Sequence, residues 1–134
     1  MNGKNQASGV IIFSVETKNF LCVKRSKHVE QYKNLWSIPA GTIKNNETPE
    51  ECILREIQEE LSIDVNVIQQ LKKLISIEML NGGQFHIFLG YVDGEFKPKL
   101  DFEHTEYKWS KTLPRPNVND ISLIMKQIQD YYGR

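Results

Sequence analysis

Three glutamates, Glu56, Glu59 and Glu60, fall within a single stretch of five residues in this 134-residue chain. On a helix turning by about 100° per residue they share one side, at spacings of three and four. Like charges so placed repel by about 0.2–0.5 kcal/mol per pair. A hard divalent cation reverses the sign of that repulsion, because it takes oxygen ligands. The stripe alone reads first as a solvated acidic face, as most acidic helix stripes are. A carboxylate cluster that holds such an ion suits phosphoryl chemistry, where the ion neutralises pyrophosphate oxygens and activates water.

The elements that must position these groups are local and legible. Gly41 to Glu47 reads as a turn-forming loop. A helix start follows, with Thr48 as cap and Pro49 at the first helical position. Glu51, three residues after Thr48, completes a capping box. The helix is predicted over Pro49–Leu61, with Ile53, Leu54, Ile57 and Leu61 on one side and the three glutamates roughly opposite.

The spacing around the stripe decides between the two readings. Gly41, five residues, Glu47, seven residues and then Arg55-Glu56-Ile57-Gln58-Glu59-Glu60 resembles the Nudix box, G-x5-E-x7-R-E-U-x-E-E-x-G-U with U a bulky aliphatic. Gly41, Glu47, Arg55, Glu56, Ile57, Glu59, Glu60 and Ile63 match, and Ser62 stands in place of the second glycine. That residue lies just past the helix end, where a left-handed conformation is common. Serine there costs about 1 kcal/mol of backbone strain and removes no ligand.

The resemblance to the Nudix hydrolases implies a metal-dependent pyrophosphohydrolase. Magnesium is the expected ion and manganese is tolerated. Its ligands would be Glu56, Glu59, Glu60 and the backbone carbonyl of Ala40. Arg55 would position Glu56, with Gly41 and Glu47 supporting the site. The family also implies a general base or extra ligand on a loop outside the box. Glu103 is the first choice, then Glu106 and Asp101. The substrate would be a nucleoside diphosphate linked to another moiety, whether a nucleoside triphosphate, ADP-ribose or a nucleotide sugar. The alternative is a non-catalytic nucleotide-sensing or RNA-binding domain on the same fold.

The rest of the chain frames that reading. Its length suits one domain, expected over residues 1–134. Lys+Arg and Asp+Glu each number 17, so no bulk field draws in nucleic acid or an anionic membrane, and phosphate recognition has to be local. Cys22 and Cys52 read as reduced thiols, with Cys52 near the glutamates and given no role. The polar N-terminus carries no signal-peptide core and no stretch reaches the length of a membrane span, so the expected location is the cytoplasm. Oligomeric state stays open, a homodimer included.

Strands are predicted at Val10–Ser14 and Phe20–Arg25, and a hairpin at Lys72–Leu80 and Gln84–Asp93. Asp64 to Leu71 reads as a short strand or extended segment, and Lys97 onward as a loop before a short strand at Tyr107–Trp109. An amphipathic helix is expected from Asn117 onward, with Ile121, Ile124, Met125 and Ile128 on one face. The pattern is α+β, and the resemblance implies an α/β/α-layered mixed sheet between helices. Arg25, Tyr32, Trp36 and Phe85 are the candidate substrate contacts. Arg25 can grip phosphate through its guanidinium or form a surface salt bridge. His86 reads as a satisfied sheet histidine or a cavity residue. His28 reads as a surface residue and His104 as an exposed loop residue.

Overall fold

A computed structural model describes residues 6–28, 33–78 and 82–114. Among these residues seven strands form a mixed sheet. β1 (Ala7–Ser14), β2 (Phe20–Arg25), β3 (Trp36–Ser37) and β4 (Ala40–Thr42) precede helix α1 (Pro49–Leu61), and β5 (Gln69–Glu78), β6 (Gln84–Val92) and β7 (His104–Ser110) follow it. β1 is central. It runs parallel to β6 from Ala7↔Phe85 to Ser14↔Val92, while β5 pairs antiparallel with β6.

The site is made possible by a split between β1 and β2. The two strands pair at Phe13↔Phe20 and then part, with β4 pairing along β1 and β3 along β2. The Ile38-Pro39 step crosses between them, and Val10 N–H donates to the Pro39 carbonyl at 2.9 Å. Pro39 has no N–H of its own, so it serves there as an acceptor only. Ala40 and Gly41 thereby lie beside α1.

Side chains alternate across the sheet into two apolar layers. Val10, Ile12, Leu21, Val23, Phe88 and Val92 face Ile53, Ile57 and Leu61 of α1. Ile11, Phe13, Phe20, Ile38, Ile87, Leu89 and Tyr91 face the other way. Ile53, Ile57 and Leu61 are completely buried, each contributing roughly 1.5–3 kcal/mol. The helix is therefore held firmly on the sheet.

The helix has the predicted bounds, and both halves of the Thr48–Glu51 capping box are present. Ser62 closes it at φ 56°, ψ 41°, in the left-handed region. Other expectations are corrected. Leu54 is only half-buried, and the glutamates do not lie opposite the apolar row: Cys52, Glu56 and Glu60 form a second buried row beside Ile53, Ile57 and Leu61. Each member precedes its apolar neighbour by one residue, or about 100°. Only Glu59 and the residues around the far side meet solvent.

The segment after α1 holds a 3₁₀ turn, Val65–Val67, capped by the Asp64 side chain, before β5 begins. The last strand starts at His104, three residues before the expected Tyr107. The expected hairpin of β5 and β6 is present. The helix expected from Asn117 onward and the candidate contact Tyr32 lie outside the described residues. No described helix is long and apolar enough to cross a membrane.

Candidate functional site

The box loop, β4 and the outer rows of α1 meet around Arg55. Its Nε donates to Glu47 Oε2 at 2.6 Å and its Nη2 to Glu47 Oε1 at 3.0 Å, a two-point grip. Nη1 reaches Glu56 Oε2 at 2.8 Å and Glu59 Oε1 at 3.3 Å, and Nη2 also reaches the Thr42 carbonyl at 3.1 Å. The planar guanidinium suits such forked contacts. Hydrogen bonding from Arg55, then from the Lys44 N–H, holds the Glu47 carboxyl down at about 2. One arginine thus ties the loop to the helix and orients two of the three box glutamates.

Gly41 makes room for this. A Cβ there would stand 2.1 Å from Glu56 Cδ and Oε2, so only glycine lets the glutamate side chain lie across the strand. Cys52 is close by, as expected. Its Sγ lies 3.7 Å from the Gly41 carbonyl and 3.8 Å from Arg55 Nη2, and both cysteines are free.

Glu60 contrasts with this satisfied network. It is completely buried, and its Oε1 accepts a 3.3 Å bond from Ala40 N–H. Its Oε2 has no hydrogen-bond partner among the described residues. Burial, then hydrogen bonding to Glu56 and the charges of Glu56, Asp101 and Glu103, pushes its pKa well above the usual carboxylate range. A buried carboxylate is normally paired or bound to a metal.

The turn at residues 101–104 closes the site from the other side. Asp101 Oδ1 accepts from Glu103 N–H at 3.2 Å and lies 3.1 Å from His104 Nδ1. The Glu103 carbonyl accepts from Ser26 N–H at 2.7 Å, which docks the turn on the end of β2. Glu103 is half-buried, and burial followed by Asp101 and Glu56 raises its pKa, against the opposing charge of Arg25. A register shift between Lys24 and Arg25 pairs Arg25 with His104. This bulge breaks the side-chain alternation and turns His104 towards α1, where its Nε2 lies 3.9 Å from Glu60 Oε1.

The structure therefore groups Arg55, Glu56, Glu59, Glu60, Glu103, Asp101 and Arg25 near Ala40 and Gly41. It sets Glu106 apart. That residue is exposed on β7 and ion-paired with Lys24 at 3.6 Å, on the sheet face opposite Tyr107 and α1. Trp36 lies under the Lys108 ammonium, 4.3 Å from the ring centre. Phe85 packs on the core over Gly9, where a Cβ would come within 2.6 Å of its ring. His86 is a satisfied histidine, bonded to Ser76 Oγ at 3.1 Å and Gln6 Oε1 at 2.9 Å. His104, read as an exposed loop residue, is instead buried in the site. Nothing in its local spacing signalled this, because the bulge that turns it is set by pairing with β2.

The donor set fits a hard divalent cation: carboxylates and a carbonyl, one carboxylate oxygen buried without a partner. Among the described residues no three His, Cys, Asp or Glu side chains already stand arranged for one ion. Glu56 Oε2 is turned towards Arg55.

A family model described as the NUDIX domain matches residues 3–112. The chain belongs to the Nudix family. It is a hydrolase of the class that acts on phosphoric anhydrides. Among curated Nudix relatives it is 27% identical, over 120 residues, to the dihydroneopterin triphosphate diphosphatase of Haemophilus influenzae, covering 78% of this chain and 73% of that one. Several other curated relatives are spanned for less than half their length. Among solved structures, the E. coli dihydroneopterin triphosphate pyrophosphohydrolase superposes with a TM-score of 0.73 at 20% identity, over 92% of this chain and 95% of that one. A bifunctional NMN adenylyltransferase/ADP ribose pyrophosphatase from Francisella tularensis, complexed with AMP and a manganese ion, superposes at 0.68 and 18% identity, over 98% of this chain and 42% of that one. At these identities the superpositions speak for the fold.

Proposed function

We propose that this Nudix domain is a divalent-metal-dependent pyrophosphohydrolase acting on a nucleoside diphosphate linked to another moiety, with triphosphates as the favoured substrates. The observation that carries the reading is the buried Glu60 carboxylate, unpartnered at Oε2, at the centre of the glutamates that Arg55 arranges. The preference for triphosphates rests on the Haemophilus and E. coli relatives, both named for dihydroneopterin triphosphate. ADP-ribose, named for the Francisella enzyme, is the second substrate to test.

Glu56, Glu59, Glu60 and the Ala40 carbonyl would hold magnesium or manganese. When bound, such an ion neutralises charge on the pyrophosphate oxygens and lowers the pKa of water. Glu103, whose pKa is raised chiefly by burial, accepts the proton of the attacking water. A base poised closer to neutrality than an ordinary carboxylate suits that task. Arg25, beside Glu103 and His104, supplies positive charge for the substrate phosphates. Arg55 keeps Glu56 and Glu59 facing the site and takes no part in the proton transfer.

The test is product release from nucleoside triphosphates, dihydroneopterin triphosphate, ADP-ribose, nucleotide sugars and dinucleoside polyphosphates, with magnesium or manganese. It is run beside a Glu59→Gln/Glu60→Gln double variant. Turnover that needs metal and disappears in the variant supports the enzyme. Nucleotide binding without turnover on any substrate would overturn it in favour of a sensor.

A further inference from the structure

Arg25 stands between two irregular neighbours. On the β3 side its N–H donates to the Leu35 carbonyl at 2.9 Å, while Asn34 N–H donates to the Arg25 carbonyl at 3.0 Å. Two residues thus oppose one, and Asn34 takes the left-handed conformation, φ 61°, that such a bulge requires. On the β7 side the register shifts between Lys24 and Arg25. Bulges re-aim side chains and are common beside active sites. What this end of the sheet presents to solvent is apolar. Leu35, just ahead of β3, is 45% exposed, and Phe102, just ahead of β7, is 75% exposed. Among the described residues only Val67 joins them as an exposed large apolar side chain. A single exposed apolar residue is ordinary on a protein surface. Two on the segments that flank one arginine, beside the half-buried Glu103, give the rim of the site a chemical character of its own.

We propose that Phe102, with Leu35 across Arg25 from it, stacks on a flat heteroaromatic ring carried by the substrate and so selects ring-bearing substrates such as nucleotides over diphosphates without a ring. This rests on the reading of the site as one for a nucleoside diphosphate linked to another moiety. The glutamates and Arg25 recognise charge and are blind to the ring; an aromatic face recognises the ring and is blind to charge. Phe102 is held ready for that task. The Asp101 carbonyl accepts from His104 N–H at 3.3 Å, Asp101 Oδ1 from Glu103 N–H at 3.2 Å, and the Glu103 carbonyl from Ser26 N–H at 2.7 Å. A residue at the apex of so anchored a turn has little backbone freedom left to lose on binding. Across the sheet the Leu35 and Phe102 segments lie about two strand spacings apart, roughly 9–10 Å. A flat ring in contact on both faces needs about 7–8 Å, so apolar side chains on the two segments can meet one ring between them.

The experiment titrates the full chain, with magnesium, against two probes that cannot be hydrolysed, and follows binding by calorimetry. One is adenosine triphosphate with both bridging oxygens replaced by methylene. The other is methylenediphosphonate, which has bridged phosphorus groups and no ring. Phe102→Ala is expected to bind the nucleotide about 5–100-fold more weakly and the diphosphonate as the wild type does. Phe102→Trp should keep the nucleotide affinity, and Leu35→Ala should weaken it less than Phe102→Ala does. A Phe102→Ala chain that binds the nucleotide as tightly as the wild type would overturn the proposal. So would an equal loss for both probes, which would trace the effect to the turn that carries Glu103 rather than to a ring. If circular dichroism shows Phe102→Ala unfolded, Phe102→Leu and Phe102→Trp decide: equal nucleotide affinities overturn the proposal, and tighter binding by Trp supports it. A wild-type chain that binds neither probe would instead remove the parent reading of the site, and this inference with it.

Discussion

The candidate site has an Arg55 flank and a His104 flank, which carry the same kind of residue and treat it in opposite ways. On one flank Glu47, Glu56 and Glu59 converge on Arg55, and every carboxylate finds a cationic donor within 3.3 Å. On the other, Glu60 lies against His104 and accepts from the Ala40 N–H, with no arginine or lysine paired to it among the described residues. The first cluster is complete as it stands, every carboxylate paired with the guanidinium. The second keeps a buried carboxylate oxygen unpaired among the described residues. Charge alone does not single out a carboxylate poised for a new partner; an unmet demand for one does.

The largest expected effect comes from the incomplete flank. Glu60→Gln should remove several kcal/mol of transition-state stabilisation, roughly a thousandfold in kcat/KM. It should leave the metal-free protein melting at the same or a higher temperature, because a buried ionisable group without a partner gives way to a neutral amide. Steady-state kinetics and thermal denaturation without metal check both halves. A metal-free variant that melts clearly lower would erase the contrast between the flanks.

Gly41→Ala tests the junction between them. The added Cβ meets the far end of the Glu56 side chain, which can swing aside, so stability should change little. The glutamate would then leave its place beside Arg55, and kcat should fall by about tenfold to a hundredfold. Equal losses of stability and activity would mean that Glu56 has nowhere else to go.

Smaller still is the expected effect of Glu47→Gln on the satisfied flank, read through pH. The Glu47 pKa is lowered from 4.5 to about 2 in the fold. The contribution of a depressed carboxylate is present above its unfolded value and is lost as pH falls through the folded one. The stability gap between wild type and variant in urea titrations should therefore be constant above pH about 5 and close as the pH falls towards 2. A gap that is unchanged in acid would show that the Arg55 contact is not what this carboxylate contributes.

The smallest effect lies at the helix end, away from both flanks. Ser62→Gly relieves a left-handed backbone at φ 56° and should stabilise the protein by about 0.5–1 kcal/mol. Turnover should be unaltered, which kinetics beside a urea melt would test.

What was legible in the sequence was what is decided locally. The Thr48–Glu51 capping box, Pro49 and the left-handed stop at Ser62 set the helix within one turn of each end, and the bounds of β2 follow from its own apolar run. The Arg55–Glu56 relation came from the resemblance rather than from spacing. What was not legible depends on chain far away. Periodicity identified Ile53, Ile57 and Leu61 as buried. It could not say that the row one residue earlier is also covered, because Ala40 and Gly41 of β4, placed by pairing with β1, do that. His104 was hidden for the same reason: its burial follows from a bulge in the pairing of β7 with a strand some eighty residues earlier. The 3₁₀ turn at Val65–Val67 was missed in a short β-branched stretch, where an Asp64 side chain capping the Asn66 N–H overrides strand propensity.

The central place of β1 has a consequence for the order of events during synthesis. Ala7 to Ser14 is made well before its longest partner, Phe85 to Val92. Until β6 appears, one edge of β1 stays open, with Val10, Ile11, Ile12 and Phe13 in a row. Pairings so distant in sequence are slow to form, and an open apolar edge invites pairing with other chains in the meantime. The glutamate helix can cap and coil on the ribosome, but Glu60 gains its His104 neighbour only once β7 has paired with β2. Yield of folded protein should therefore be more sensitive to translation rate and crowding of nascent chains than the modest size of the domain suggests.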